Sequence, residues 1–192
     1  PLASVIIPNW NGIKLLKPCL DSLRQQTLAP IEIIVVDNAS TDNSLAVLNA
    51  EYPEVRVLAQ KHNSGYTGGC NAGLRAARGR YLVLLNNDTE AEPEWLAQLV
   101  RGLSLHPEAG MATSRIMLYD RRDILNAAGD NYGRNGLPDS RGVWQQYSPE
   151  YTSLCYVFGG SGGAVAYRRE MLAQVGLFEE SFFMWCEDVD MS

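Results

Sequence analysis

The apolar run Tyr81–Leu85 is followed directly by three polar residues whose side chains could do chemistry. They are two amides and a carboxylate, Asn86, Asn87 and Asp88. A run of this length that stops at polar turn residues is typical of a buried strand in a parallel sheet. Because ligands of open α/β sheets bind just beyond the carboxyl ends of the strands, Asp88 is a candidate to contact a ligand or a metal ion. From these residues alone, a local Asx turn at Asp88 stays an equal alternative.

Polar residues also stand at the ends of two earlier predicted strands. Pro8 and Asn9 close the first strand, and Asp37 and Asn38 follow the second strand, Ile31–Val36. In a parallel sheet these ends lie along one edge. A carboxylate such as Asp37 can accept hydrogen bonds from a nucleobase or a ribose, so the pattern predicts a nucleotide cleft at this edge.

A glycine-rich stretch, His62–Gly69, is predicted to be a loop that leads into a helix. Glycines let the backbone approach a ligand closely, and the N-terminus of the following helix favours phosphate. The alternative is that these glycines serve helix packing only, since the GxxGG spacing by itself is weak support for phosphate binding.

Three carboxylates, Glu187, Asp188 and Asp190, lie within four residues of one another. Their mutual repulsion raises at least one pKa unless a cation or hydrogen-bond donors intervene. They follow the apolar stretch SFFMW, which is more typical of a pocket lining than of a solvated loop, and sugar rings pack well on aromatic faces. A solvated helix start with acidic residues is the competing interpretation.

The elements that must position these residues alternate between strand and helix along the first half of the chain. The apolar spacing predicts strands over 3–8, 31–36, 55–59 and 81–85, and helices after each of them. The first helix, 14–26, is expected to bury Leu15 together with Leu16 and Leu20, and Pro18 is expected in its first turn. This alternation predicts an α/β fold with a parallel sheet and right-handed crossovers.

The second part of the chain has a different character. Residues 119–150 are rich in Gly, Asn, Asp and aromatic residues and have weak periodicity, which is typical of functional loops. A strand pattern returns in GGAVAYRR, followed by a short helix over 170–175. We therefore expect an α/β half at 1–118 and a second, less regular segment of the same domain at 119–192.

Composition limits the classes of function. The 192 residues are 46% hydrophobic and 20% charged, and 16 Lys and Arg against 22 Asp and Glu give a net charge of −6. Such a chain has no electrostatic reason to bind nucleic acid non-specifically. Apolar runs of about five residues fall far short of a membrane helix, and the four cysteines form no CxxC pair, which favours reduced thiols.

Four stretches together resemble family 2 glycosyltransferases of the GT-A fold: SVIIPNWNG, IEIIVVDNASTDNS, HNSGYTGGCNAGLRAARGRYLVLLNNDTE and GGSGGAVAYRREMLAQVGLFEESFFMWCEDVD. They cover most of the chain in the family's order and spacing. The motifs NWNG, NNDTE and CEDVD are most similar to those of the bacterial rhamnosyltransferase-like branch. The resemblance implies a Rossmann-like, mostly parallel sheet flanked by helices, with a donor-binding half at 1–118 and an acceptor-side, catalytic segment at 119–192. By contrast, NWNGIK supplies neither the GxGxxG of dinucleotide-binding enzymes nor the phosphate loop of nucleotidyltransferases.

The resemblance also implies roles for individual residues. Asp188 would be the general base, supported by Glu187, and Asp88 would be the metal-binding carboxylate for Mg²⁺ or Mn²⁺. Trp185 and Asp190 would contact the acceptor. The donor-binding residues would be Pro8, Asn9, Asp37, Asn38, Asn63, Gly65, Gly69, Asn71 and Asn87.

Two departures from the family pattern matter. The DXD motif is replaced by Asn86-Asn87-Asp88, so one carboxylate is left for the metal, which Mg²⁺ tolerates when phosphates and water complete its shell. Relatives continue past the ED motif, which implies that the acceptor-side portion is truncated here, and the QxxRW motif of processive synthases is absent from this sequence.

The resulting expectation is an inverting enzyme that moves a sugar from a UDP- or dTDP-linked donor to a hydroxyl of a glycan or lipid-linked acceptor in cell-surface polysaccharide or glycoconjugate assembly. No nucleic acid partner is expected. A cytoplasmic location is expected, with peripheral association at the inner face of the membrane left open. The alternative function is a non-catalytic sugar-nucleotide or glycan-binding module, in effect a truncated, inactive fragment.

Overall fold

The computed structural model describes residues 1–192. Six helices are present: α1 (Ile13–Leu23), α2 (Ser44–Glu51), α3 (Gly65–Ala76), α4 (Trp95–Leu105), α5 (Arg169–Val175) and α6 (Glu187–Asp190). The strands are β1 (Ala3–Asn9), β2 (Glu32–Asp37), β3 (Arg56–Ala59), β4 (Tyr81–Leu85), β5 (Met111–Thr113), β6 (Ile116–Met117), β7 (Leu125–Ala127), β8 (Asp130–Tyr132), β9 (Pro138–Ser140) and β10 (Ala164–Arg168).

Six strands form the central sheet, in the order β3-β2-β1-β4-β10-β5. The pairs among β1, β2, β3 and β4 are parallel, whereas β10 is antiparallel to both of its neighbours, β4 and β5. The predicted α/β fold with a mostly parallel sheet is therefore confirmed. The second part of the chain contributes β10 to the middle of this sheet, and whether 1–118 and 119–192 act as separate functional segments stays a prediction.

The register of the strands brings the predicted polar ends to one edge. Asn9 at the end of β1 lies opposite Asp37 at the end of β2. Ile6 pairs with Leu84, so the residues that follow β4 lie just beyond the same edge. This is the geometry that a ligand site at the carboxyl ends of the strands requires.

The sheet is buried on both faces because helices α1 to α5 pack apolar residues against it. Alternate strand residues such as Val5 and Val83 join one core cluster with α1, α2 and α4, and Ile6 and Leu84 join a second cluster with α3 and α5. This period-two alternation leaves no strand face for solvent, so the polar residues gather at the strand ends.

Four details differ from the sequence-based predictions. The first strand does not end at Pro8: β1 runs through Asn9, because pairing with β4 stops at Ile6 and the missing N–H of proline is tolerated where a strand has lost one neighbour. Pro18 lies in the middle of α1 rather than in its first turn. Because Pro18 has no N–H, the carbonyl of Lys14, one turn earlier, lacks its helical donor. Both residues are exposed, so water can reach this carbonyl.

The prediction that Leu15 belongs to the buried face of α1 was also wrong, since its side chain is 53% exposed. The segment after β5 forms two small antiparallel pairs, β6 with β7 and β8 with β9, rather than one long irregular loop. Among the helices, none combines the length and the apolar character that crossing a membrane needs.

Candidate functional site

The edge of the sheet at β1 and β2 holds a buried polar network. The Asn9 amide Nδ2 donates to Asp37 Oδ1 (3.2 Å) and to Ser44 Oγ (3.1 Å). The other carboxylate oxygen of Asp37 accepts from the backbone N–H of Ser40 (3.0 Å). Asp37 is fully buried, and both oxygens of its carboxylate accept hydrogen bonds from the chain. These bonds orient the turn that begins with Asn38.

Asn87 connects this network to the end of β4. Its Nδ2 donates to Asn9 Oδ1 (2.8 Å), which fixes the Asn9 amide with its own donors toward Asp37. Gly12, at the start of α1, leaves room for this contact, because a Cβ there would come within 2.2 Å of Asn87 Nδ2. The structure thus gives Asn87 a partner inside the chain, and its predicted donor contact stays a prediction.

Asp88 and Asn86 present oxygens without partners inside the chain. The Asp88 side chain is exposed and takes part in none of the hydrogen bonds or ion pairs of the structure. Asn86 Oδ1 is buried and has no hydrogen-bond donor. The backbone N–H of Asn86 donates to the Gly163 carbonyl (3.0 Å), so this turn lies against the glycine-rich segment Gly159–Gly163.

The glycine-rich stretch after β3 differs from the predicted loop. Helix α3 begins at Gly65, and the glycines at 65 and 69 face neighbouring segments. A Cβ on Gly65 would lie 2.5 Å from the Phe183 carbonyl oxygen, and one on Gly69 would lie 2.8 Å from Asn38 Nδ2. Both glycines therefore permit close packing, as the packing alternative expects, and their predicted contact with a nucleotide stays a prediction. Asn63 accepts from the Gly65 N–H (2.8 Å) in a local turn.

Asn71 holds the C-terminal segment against α3. It is 1% exposed, and its Nδ2 donates to the Phe178 carbonyl (2.8 Å) and to Glu180 Oε1 (3.0 Å), while its Oδ1 accepts from the Phe178 N–H (3.1 Å). Arg75 adds an ion pair to the same Glu180 oxygen (2.9 Å). Asn71 therefore acts on the segment that leads to Asp188, and its predicted contact with a nucleotide stays a prediction.

Asp188 is fixed next to the turn after β4 by the backbone. Its Oδ2 accepts from the Gly162 N–H (3.1 Å) and its Oδ1 from the Val189 N–H (2.9 Å). The Gly162 carbonyl in turn accepts from the Tyr66 hydroxyl (2.7 Å). Since Gly163 binds Asn86, one short glycine-rich segment joins the end of β4 to this carboxylate.

Glu187 is the buried member of the acidic cluster. Its side chain is 8% exposed and its Oε2 has no hydrogen-bond partner. Burial raises the pKa of this carboxyl above its ordinary value of 4.5, and the nearby charge of Asp188 raises the pKa further. A buried carboxyl without a cation is an unfavourable place for a negative charge.

Glu187→Gln is therefore expected to flatten the pH dependence of stability. The folded protein binds the Glu187 proton more tightly than the unfolded chain, so stability falls as pH rises above the ordinary carboxyl pKa. Urea unfolding at about pH 3.5 and about pH 7.5 should show a smaller loss for the variant than for the wild type. The exposed Glu92→Gln is the matched control, and an unchanged pH dependence in Glu187→Gln would contradict the assignment.

The aromatic stretch before the cluster does not form the predicted enclosed lining. Trp185 is 77% exposed, and Phe183, Trp185 and Cys186 all have positive φ values (59°, 79° and 66°). This strained backbone turns the aromatic rings outward beside the acidic cluster. The Asp190 side chain is exposed and has no hydrogen-bond partner in the chain, so the predicted acceptor contacts of Trp185 and Asp190 stay predictions.

Two residues that shape this edge are not among those predicted from the sequence. Gly162 supplies the N–H that holds Asp188, and the signal for it is the motif GGSGG, which stands between two apolar patterns. Trp10 directly follows β1 and is 58% exposed, so it offers an aromatic face beside the buried Asn9. A large apolar residue immediately after a strand end is the signal for it.

Comparisons with known proteins agree on one family. A family model described as "Glycosyl transferase family 2" matches residues 4–176. An uncharacterized glycosyltransferase of Nostoc, alr2836, is 31% identical over 175 residues, which are 90% of this chain and 52% of that protein. An uncharacterized Sinorhizobium fredii protein, y4gI, is 28% identical over 199 residues, 100% of this chain and 20% of its own length. The chain thus spans about half or less of these relatives.

Two solved structures share the fold. S. aureus TarS 1–349 in complex with UDP has a TM-score of 0.72 at 20% identity and covers 100% of this chain and 54% of that one. The mannosyltransferase PcManGT from Pyrobaculum calidifontis, in complex with GDP-Man and Mn²⁺, has a TM-score of 0.69 at 20% identity and covers 100% and 50%. At this level of identity the likeness concerns the fold alone.

Proposed function

The chain belongs to glycosyl transferase family 2 and has the GT-A fold, and from that premise we propose that it transfers a sugar from a nucleoside-diphosphate sugar to an acceptor hydroxyl with inversion. The observation that carries this proposal is the Asp188 carboxylate, which the Gly162 N–H holds beside the turn after β4. A fixed carboxylate next to the ligand edge of a parallel sheet is what a general base for this transfer requires.

The donor would bind along the edge formed by β1, β2 and β4. The buried Asp37 and its network keep the turns after β1 and β2 in one arrangement, so Pro8, Asn9 and Asn38 would form a preorganised floor for the base and ribose. The exposed Trp10 face lies at the same edge. A UDP- or dTDP-linked donor is proposed. The dTDP-linked donor is in keeping with the rhamnosyltransferase-like motifs of the sequence, and the neighbour TarS, solved with UDP, supports a nucleotide at this edge.

The residues at the end of β4 fit a hard divalent cation. The Asp88 carboxylate is free of other partners, and Asn86 Oδ1 is a buried acceptor without a donor. Oxygen ligands of this kind suit Mg²⁺ or Mn²⁺, which keep several sites for phosphate oxygens and water, and the neighbour PcManGT was solved with Mn²⁺. Such a cation offsets the charge that develops on the leaving nucleoside diphosphate.

The chain's own residues would then carry out the proton transfer. Asp188 removes the proton of the acceptor hydroxyl as that oxygen attacks the anomeric carbon and the bond to the diphosphate breaks. The Gly162 and Val189 N–H groups orient the carboxylate, and Glu187 is the buried neighbour that would support it. One displacement of this kind inverts the configuration at the anomeric carbon.

Asp88→Ala is expected to remove the metal dependence of nucleotide binding. In the wild type, UDP or dTDP should bind more tightly with Mn²⁺ than with chelator, because Asp88 would help to hold a cation that offsets the charge of the diphosphate. Calorimetry on the variant should show a loss of roughly ten-fold or more in affinity with Mn²⁺ present. Asp120→Ala, another exposed carboxylate, is the control. Unchanged metal-dependent binding in Asp88→Ala would remove this residue from the site.

The acceptor is proposed to be a glycan or a lipid-linked saccharide in cell-surface polysaccharide or glycoconjugate assembly. A cytoplasmic protein that associates peripherally with the inner face of the membrane would meet both a soluble nucleotide sugar and a membrane-bound acceptor. The exposed aromatic residues Trp185 and Phe183 beside the acidic cluster support an acceptor that presents a sugar ring.

A further inference from the structure

A cavity of about 160 Å³ opens beside Asp188. The cavity is lined by the β8–β9 hairpin and the residues around α6, namely Asp130, Pro138, Asp139, Ser140, Cys186, Asp188 and Val189. A space of this size exceeds the roughly 30 Å³ share of one water molecule several-fold. The edge of a sugar that carries a hydroxyl or an amine can therefore enter it next to the proposed base.

The walls of this cavity carry negative charge and no compensating cation. Asp130, Asp139 and Asp188 all line it, and none of the three takes part in an ion pair, although nine ion pairs exist elsewhere in the structure. Uncompensated carboxylates within one small space create a strong negative potential. A second carboxylate brought there by a ligand would be repelled.

Asp130 is the carboxylate that most clearly faces a ligand. Its residue is 8% exposed, and its Oδ1 accepts from the Ser140 hydroxyl (2.8 Å), whereas its Oδ2 has no partner in the chain. Burial raises the pKa of Asp130, and the charges of Asp188 and Asp139 raise the pKa further. A buried carboxylate with one unused oxygen on a cavity wall is a ready acceptor for a hydroxyl or ammonium group.

The occupant suggested by the surroundings is a saccharide rather than a metal ion. No three of the chain's His, Cys, Asp and Glu side chains converge closely enough to hold a metal. Tyr132, two residues after Asp130 on β8, stacks on Phe158 with ring centroids 5.0 Å apart, and both rings are about half exposed. Such an aromatic surface next to hydrogen-bonding carboxylates suits the apolar face and the polar edge of a sugar ring.

We propose that this cavity is an acceptor subsite that selects by charge. It would take a neutral or amino-bearing saccharide and exclude an acidic one such as a uronic acid, and Asp130 would be the specificity-determining residue. The inference rests on the proposed transfer function, because it assigns Asp188 to the acceptor side. It goes beyond that function by naming the chemical class of the acceptor.

Cys186 is a built-in probe of the cavity, because its thiol is exposed and it lines the space. We would label the purified protein with a cationic and an anionic methanethiosulfonate and follow each cysteine by mass spectrometry. Cys155, also exposed but outside the cavity, is the internal control, and Cys19 and Cys70 are buried. The cation-to-anion rate ratio at Cys186 should exceed that at Cys155 by about ten-fold and should fall several-fold in Asp130→Asn. Equal ratios at the two thiols would overturn the proposal.

Protection of Cys186 from labelling tests the class of ligand. Methyl glucoside and methyl glucosaminide should slow the labelling in a saturable way, and methyl glucuronide at the same concentration should not. Asp130→Asn should reduce the difference, whereas Asp120→Asn, an exposed carboxylate elsewhere, should leave it unchanged. Equal protection by all three glycosides, or by none, would refute the subsite.

The two proposals can fail separately. Nucleotide binding with Mn²⁺ and the Asp188 dependence of transfer test the glycosyltransferase function and do not depend on Asp130. Labelling of Cys186 tests the charge of the cavity without any donor. A protein that binds nucleotide and transfers sugar, yet protects Cys186 equally with glucuronide, would keep its function and lose this inference.

Discussion

Replacing Asp188 with Asn should lower sugar transfer by roughly 10²- to 10⁴-fold, which is the range for loss of a general base. Asn has nearly the same shape and keeps an oxygen that can accept from the Gly162 N–H, so the fold should survive. It cannot, however, take a proton from the acceptor hydroxyl. The measurement is transfer to a saccharide acceptor or hydrolysis of the donor, with nucleoside diphosphate release as the common readout.

Asp120→Asn is the control, since Asp120 is an exposed carboxylate outside the candidate site. A loss confined to Asp188→Asn, with nucleotide affinity retained, would assign the proton transfer to Asp188. Undiminished turnover in a folded Asp188→Asn protein would remove it from the role of base. Nucleotide binding without turnover in the wild type would instead support a non-catalytic sugar-nucleotide-binding module.

Asn71→Ala should give the largest loss of stability among the substitutions considered, roughly 3 kcal/mol. The change removes hydrogen bonds to both the N–H and the carbonyl of Phe178, which is itself buried, and leaves those backbone groups without partners. A buried polar group that loses its partner costs about 1–3 kcal/mol. Urea unfolding of the variant and the wild type measures the difference.

Asn49→Ala is the control for this experiment, because Asn49 is exposed on α2 and should change stability by less than about 0.5 kcal/mol. Hydrogen exchange should locate the Asn71 effect in the segment from Phe178 to Asp190, which includes the proposed base. A stability loss in Asn71→Ala equal to that of Asn49→Ala would show that the contacts with Phe178 contribute little.

The strand ends can be predicted from sequence because the pattern that defines them is local. Val83 and Leu84 face opposite cores, and the polar residues after Leu85 must leave the sheet, so the apolar pattern alone is enough to locate Asp88 at the correct edge. The same holds for Asp37, which follows an equally clear strand. The fold class follows from this regular part of the chain.

The partners of the polar residues cannot be predicted in the same way, because they depend on contacts between distant segments. Asn71 binds Phe178, and Gly162 binds Asp188, and nothing in the local sequence specifies either pair. The packing role of Gly65, at the start of α3, is not visible in the local sequence because its packing partner, Phe183, lies far along the chain. The β8–β9 hairpin and its buried Asp130 lie in a segment of weak hydrophobic periodicity, so neither can be predicted from the apolar pattern.

The position of β10 has a consequence for how the protein folds. Both neighbours of β4 are distant in sequence, but β1 precedes β4 in the chain, whereas β10 (Ala164–Arg168) follows it, so one edge of β4 stays open until β10 is made. Pairing across such a long separation is slow, and an open apolar strand edge invites association with other chains in the meantime. During synthesis, the edge at the ends of β1, β2 and β4 can therefore form first, and docking of β10 is the late step that brings Gly162 and Asp188 to it and protects the chain from aggregation.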